Sequence, residues 1–216
     1  MVAYPTTEPR RLTPQEYLER ERHAETKSEY HGGVLMARAG ASPEHNAIVF
    51  DIIGTLSVQL KGKPCQGFPS DLRVRVPACN KYYYPYVIVT CEEPRYEMLA
   101  GMRSLLNPTL IVEVLSDSTL QADKGEKWLC YQTLDSLQTY VLVSHQSPVV
   151  EAYSRQANGW LYTAVVGLES AVPLESIGCT LRLADIYARV PFPPAAEPGK
   201  NGAESTTEKP DLGNNS

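Results

Sequence analysis

At 216 residues, with 43% hydrophobic and 21% charged side chains, the chain can bury one sizeable core and is too short for two ordinary domains. Its net charge of −5 argues against broad charge-driven binding to nucleic acid and leaves room for a local basic groove. No apolar run approaches the ~20 residues that cross a bilayer. The opening stretch MVAYPTTEPRRLTPQEYLER has no apolar segment behind positive charge, so we expect a cytoplasmic protein with no secretion signal and no membrane partner. The five cysteines, Cys65, Cys79, Cys91, Cys130 and Cys179, are scattered and form no CxxC pair. They read as free thiols in a reducing compartment and argue against a zinc site.

In chain order, LTPQEYLERERH predicts a short helix, with Thr13 as N-cap, Pro14 at the first helical position and Glu16 three residues after the cap. SEYHGGVLMARA, with Gly32-Gly33 between two runs, predicts a strand or hairpin. SPEHNAIVFDIIGTLSVQLKG predicts a longer helix. Ser42 caps it, Val49, Ile52, Ile53, Leu56 and Leu60 share a face, and Gly62 closes it. DLRVRV alternates, with Leu72, Val74 and Val76 on one face and Asp71, Arg73 and Arg75 on the other. YPYVIV and TLIVEVLS are β-branched runs of the kind buried on both faces of a sheet. STLQADKGEKWLCYQTL predicts a helix capped by Ser118 or Thr119. LQTYVLVS, PVVEAYSR and GWLYTAVV predict three further strands, and LRLADIYARV a closing helix. The order points to α/β or α+β architecture with a central sheet, spanning residues 10–190. From 191 to 216 the chain is rich in Pro, Gly, Ser, Asn and Glu, and we expect that tail to be disordered.

One residue stands out chemically. Glu113 sits inside the apolar run LIVEVLS, where an ionised carboxylate is costly unless paired or bound to metal. Asp71 precedes an alternating strand and Glu29 opens another; singly, each reads as solvated. Asp123, Lys127 and Tyr131 recur at helical spacing, which by itself describes a surface ion pair beside an aromatic. His45 reads as a surface or cap residue. These signals describe a mixed α/β domain with an acidic site.

YYYPYVIVTC, followed by NPTLIVEVLSDSTLQADKGEKWLCYQTLDSLQTYVLVS, resembles the bacterial putative restriction endonuclease family of the PD-(D/E)xK nuclease superfamily. The resemblance extends over roughly residues 11–190. It implies a restriction-endonuclease-like fold, a central mixed β-sheet flanked by helices, with metal-binding acids at strand ends. It also implies Mg²⁺-dependent cleavage of DNA, in which the ion activates a water and stabilises charge on the phosphate. Within it, Glu113 matches the second acid and a metal ligand. The lysine often found two residues later is Leu115 here, and Lys127 on the following helix takes its role. Glu29 matches an acid near the first helix. The first acid belongs after Pro85, and the family's YPD is YPY in this chain, so Tyr86 holds the expected aspartate position. Three readings stay open: an endonuclease with impaired cleavage, an endonuclease in which Asp71 substitutes as ligand, and an inactive relative that binds DNA, regulates or docks a protein. Two strands to cut make a homodimer a natural expectation.

Overall fold

The computed structural model describes residues 10–38, 40–116 and 119–192. The tail expected to be disordered lies, from residue 193, outside the described residues, as does the candidate cap Ser118. Helix α1 is Pro14–Glu21, and its capping box is formed: Glu16 N donates to the Thr13 hydroxyl at 3.2 Å, and Thr13 N donates to Glu16 Oε2 at 2.8 Å. Strands β1 (Ser28–His31) and β2 (Val34–Ala37) form a hairpin through Gly32 and Gly33, whose φ of 57° and 109° only glycine adopts cheaply. A Cβ on Gly33 would also stand 2.6 Å from the Arg11 Cβ. Helix α2 (Pro43–Gln59) starts where Ser42 Oγ accepts from His45 N, and it buries Ile48, Ile52 and Leu56.

The remaining strands are β3 (Gln66–Pro69), β4 (Arg73–Val76), β5 (Lys81–Tyr83), β6 (Val87–Thr90), β7 (Tyr96–Leu99), β8 (Met102–Leu105), β9 (Leu110–Leu115), β10 (Thr139–Ser144), β11 (Val149–Gln156), β12 (Gly159–Val166), β13 (Ala171–Leu174) and β14 (Cys179–Arg182). They form a six-stranded sheet ordered β2-β1-β5-β4-β8-β7, a second ordered β12-β11-β10-β9-β6-β3, and a ribbon of β13 and β14. The fold is mixed α+β, as expected. The long apolar runs all fall in the second sheet. The first sheet is built of three- and four-residue strands, among them the expected hairpin of β1 and β2 and the alternating strand β4.

Strand β9 is central. It runs parallel to β10, with Glu113 opposite Leu142, and antiparallel to β6, with Val87 opposite Val112. Continuing the latter register by one residue sets Tyr86 opposite Glu113. The β9–β10 crossover contains α3 (Leu120–Ala122), a π-helical turn at Asp123–Lys127 and α4 (Trp128–Tyr131). One face of the second sheet packs on α2 and on α5 (Leu183–Ile186), joining Ile48, Ile52, Val87, Val112 and Val141. The other face, with Ile88, Ile111 and Leu142, packs on the crossover and on Val74, Tyr83 and Leu105 of the first sheet. Glu113 is thereby enclosed between two sheets and a helix. No helix among the described residues is long and apolar enough to cross a membrane.

One expectation about covalent structure fails. The cysteines are not all free thiols: Cys65 bonds Cys91 and Cys79 bonds Cys130, leaving Cys179 free and buried. Register explains the first pair, since Gln66 faces Thr90 across β3 and β6, which places the flanking cysteines together. On β4, Arg73 is buried. Its guanidinium donates to the Tyr84 hydroxyl at 2.6 Å, and that hydroxyl donates to Glu21 at 2.9 Å. Both faces of β4 are covered, so its charged side needs an internal partner.

Candidate active site

Strand β9 delivers Glu113 to the interior, and the crossover delivers its cation. Glu113 is fully buried, and its Oε1 lies 3.2 Å from Lys127 Nζ and accepts from the Tyr131 hydroxyl at 3.3 Å. Strand β1 brings Glu29 from the other sheet, with Oε1 3.4 Å from the same ammonium and accepting from Tyr84 N at 3.1 Å. Asp123, one turn before Lys127, places Oδ1 2.9 Å from Nζ, off the line of a hydrogen bond. Three carboxylates from two sheets and a helix therefore converge on one lysine. Glu113 Oε2 and both Asp123 oxygens have no hydrogen-bond partner among the described residues.

Charge states follow from this geometry. Burial pushes the Glu113 carboxyl up to about 8; Lys127 opposes the shift, and Asp123 and Glu29 add to it. Burial alone would lower the Lys127 ammonium, but Glu113, Glu29 and Asp123 carry it above its ordinary value. Burial would raise Glu29 too, yet His31, Lys127 and the Tyr84 N–H hold it below the usual carboxylate value. The three acids thus hold the lysine in its charged form, Glu29 is favoured as the anion, and Glu113 is the acid whose ionisation burial opposes most.

A cavity of about 260 Å³ opens beside this cluster, with Glu29, Arg38, His45, Tyr86, Asp123 and Lys127 on its wall. The Tyr86 ring packs edge-on to His45 at 4.5 Å between centroids, under the Arg38 guanidinium at 4.9 Å. Burial, then the charge of Glu113, raise the Tyr86 phenol above its ordinary value, with Arg38 pulling the other way. His45 is buried, Nε2 meeting the Val114 carbonyl at 3.0 Å, and burial lowers its pKa. A carbonyl only accepts, so Nε2 carries the hydrogen and Nδ1 is a lone pair.

The structure thus brings together Glu113, Lys127, Glu29 and Tyr86. Asp71 stands apart: its side chain is 81% exposed, pairs with Lys27 and is not on the cavity wall. It sits in the loop before β4, beyond the edge of the cluster, so it does not replace the missing acid. Sequence reasoning underrated Asp123, which looked like half of a surface pair, and His45, which looked like a cap residue. The helical phase shared by Asp123, Lys127 and Tyr131 was the available signal for the first; nothing local marked the second.

The Mg²⁺ implied by the resemblance needs two acids on the strands flanking it. The residues present do not fit that ion. A phenol holds the first position, the ammonium of Lys127 fills the centre of the carboxylates, and no group of three or more His, Cys, Asp or Glu among the described residues is placed to hold a metal.

Comparison with known proteins shows the family and the fold. The Uma2 family model, described as a putative restriction endonuclease, matches residues 14–184. Two uncharacterised proteins of Synechocystis sp. (strain ATCC 27184 / PCC 6803 / Kazusa) are similar. One, sll1609, is 37% identical over 157 residues, covering 72% of this chain and 88% of its own length. The other, slr1290, is 34% identical over 197 residues, covering 89% of this chain and 100% of its own. The crystal structure of a putative nuclease belonging to DUF820 from Anabaena variabilis ATCC 29413 superposes with a TM-score of 0.67 at 20% identity, covering 82% of this chain and 98% of that one. At that identity the likeness speaks for the fold.

Proposed function

Because the chain belongs to the Uma2 family of putative restriction endonucleases, we propose that its cavity receives the phosphodiester backbone of DNA and that cleavage there is impaired. The observation that carries this reading is Tyr86, whose ring stands on the cavity wall at the place of the first acid. Burial raises both the Glu113 carboxyl and the Tyr86 phenol, so both principal positions resist carrying a negative oxygen. A bound Mg²⁺ would supply water activation and charge stabilisation; this pair of groups gives it little hold. Arg38 and Lys127 remain on the wall to meet a phosphate, and Tyr131 and Glu29 keep Lys127 and Glu113 in place. Cutting both strands calls for two sites, so a homodimer is part of the proposal.

The test is Mg²⁺-dependent nicking of supercoiled plasmid. The chain itself should cut weakly or not at all, and Tyr86→Asp should raise the rate on the order of 10²-fold, the scale set by a misplaced catalytic group. Tyr86→Asp combined with Glu113→Ala should be inactive. Strong cutting by the unmodified chain that survives Tyr86→Phe would overturn the reading. If neither protein cuts but both shift DNA in a metal-free gel assay, the inactive DNA-binding relative is the correct member of the family.

A further inference from the structure

The three buried carboxylates already share a cation, and it is a side chain. Lys127 Nζ stands 2.9 Å from Asp123, 3.2 Å from Glu113 and 3.4 Å from Glu29, with Lys127 itself only 7% exposed. The acids come from the crossover helix, β9 and β1, so no one element makes the site; the fold assembles it. Asp123 is 1% and Glu113 0% exposed, yet three of their four oxygens accept no hydrogen bond from the described residues. Buried carboxylate oxygens without donors are rare, because each has given up its water. Here the ammonium offsets that loss through charge and through its bond to Glu113. The donor set, hard oxygens only, is also the kind that takes Mn²⁺, Ca²⁺ or Mg²⁺.

We propose that Lys127 is the resident cation of this site and keeps divalent ions out of it. The inference rests on the reading of this cavity as the family's active site, and it changes the part that Lys127 plays there. The lysine neutralises the acids in place of a metal. Tyr86 makes the arrangement stable, since it adds no further negative charge that an ion would be needed to balance. Binding of DNA by such a chain needs no metal.

Calorimetric titration of the full chain with Mn²⁺ alone, without DNA, tests this. The unmodified protein should show no saturable uptake at millimolar Mn²⁺. Lys127→Met, which keeps the length and removes the charge, should bind one Mn²⁺ per chain at least about tenfold more tightly. Asp123→Asn in that background should abolish the gain, and Lys127→Arg should behave as the unmodified chain. Saturable Mn²⁺ uptake by the unmodified protein that disappears in Glu113→Gln overturns the proposal, and this arm does not depend on any lysine variant folding. A folded Lys127→Met that takes up no Mn²⁺ overturns it equally, because the acids would then not form a cation site. Failure to bind or cut DNA leaves these titrations unchanged, so the two readings fall separately.

Discussion

Replacing Glu113 by Gln tests the central electrostatic claim through stability alone, with no need of a cleavage assay. Gln copies the protonated carboxyl in shape and can still accept from Lys127 and Tyr131. The folded-state value of about 8 against an ordinary 4.5 means that the native protein holds this proton through a window where the unfolded chain has lost it. A raised value contributes stability that is fully present below about 4.5 and is lost as pH rises towards 8. The slope is at most ~1.4 kcal/mol per pH unit, for a total on the order of a few kcal/mol. His45 works in the opposite sense, since burial lowers its pKa and favours the neutral ring on raising pH. The measurement is therefore a difference: urea unfolding of the unmodified chain and of Glu113→Gln at half-unit steps from pH 5 to 8.5. The two should match near pH 5, with Glu113→Gln pulling ahead steadily above it. Parallel curves over the whole range would mean that Glu113 is ionised at neutral pH and that the charge balance assigned to the cluster is wrong.

Two further outcomes follow from the fold. The Cys79–Cys130 bridge encloses a 51-residue separation and ties the turn after β4 to the helix bearing Lys127. By the chain-entropy account, opening it costs about 4 kcal/mol, so dithiothreitol or Cys79→Ser should lower the melting temperature on the order of 10 °C; five free thiols by titration of the unreduced, unfolded protein would contradict the bridges. Thr13→Ala removes the acceptor of the α1 capping box and should destabilise by about 1 kcal/mol, read as a shift in the urea midpoint; no shift would mean that Arg10 and Glu16 hold the helix start without the cap.

Legibility tracked the length of the apolar pattern. Helix α2 and strands β9 and β10 announce themselves because long runs of Ile, Leu and Val have one plausible place, inside. Glu113 was visible for the same reason, as a carboxylate interrupting such a run. Alternation tells the two faces of β4 apart and is silent on whether both are covered, as they are here with Arg73 buried. Asp123 was misread because i, i+4 spacing describes a surface pair equally well; only Tyr140, whose hydroxyl reaches the Asp123 carbonyl at 3.0 Å, and the enclosing sheets make the site buried. The π turn at Asp123–Lys127 has no composition of its own and depends on that same packing. The disulfides were hidden because tertiary packing, not cysteine spacing, sets them: the register of β3 on β6 brings Cys65 to Cys91, and the docking of the crossover helix on the turn after β4 brings Cys130 to Cys79.

Charge balance explains why Tyr86 can stand where an acid is expected without harm to the fold. An aspartate there would put a fourth carboxylate beside Glu113, Glu29 and Asp123, with Lys127 as the cation these three share. A site of that composition would gain from a divalent ion, as a stable neighbour for charges that repel one another. With tyrosine the same site is held by one ammonium, and the ring recovers burial energy against His45 and under Arg38. On the proposed function, Tyr86→Asp therefore pulls in two directions at once: it supplies a second acid beside Glu113 and adds repulsion to a site that holds one ammonium. A substitution that weakens chemistry can in this way relieve the scaffold, which is the usual relation between a strained active site and the stability of the protein around it.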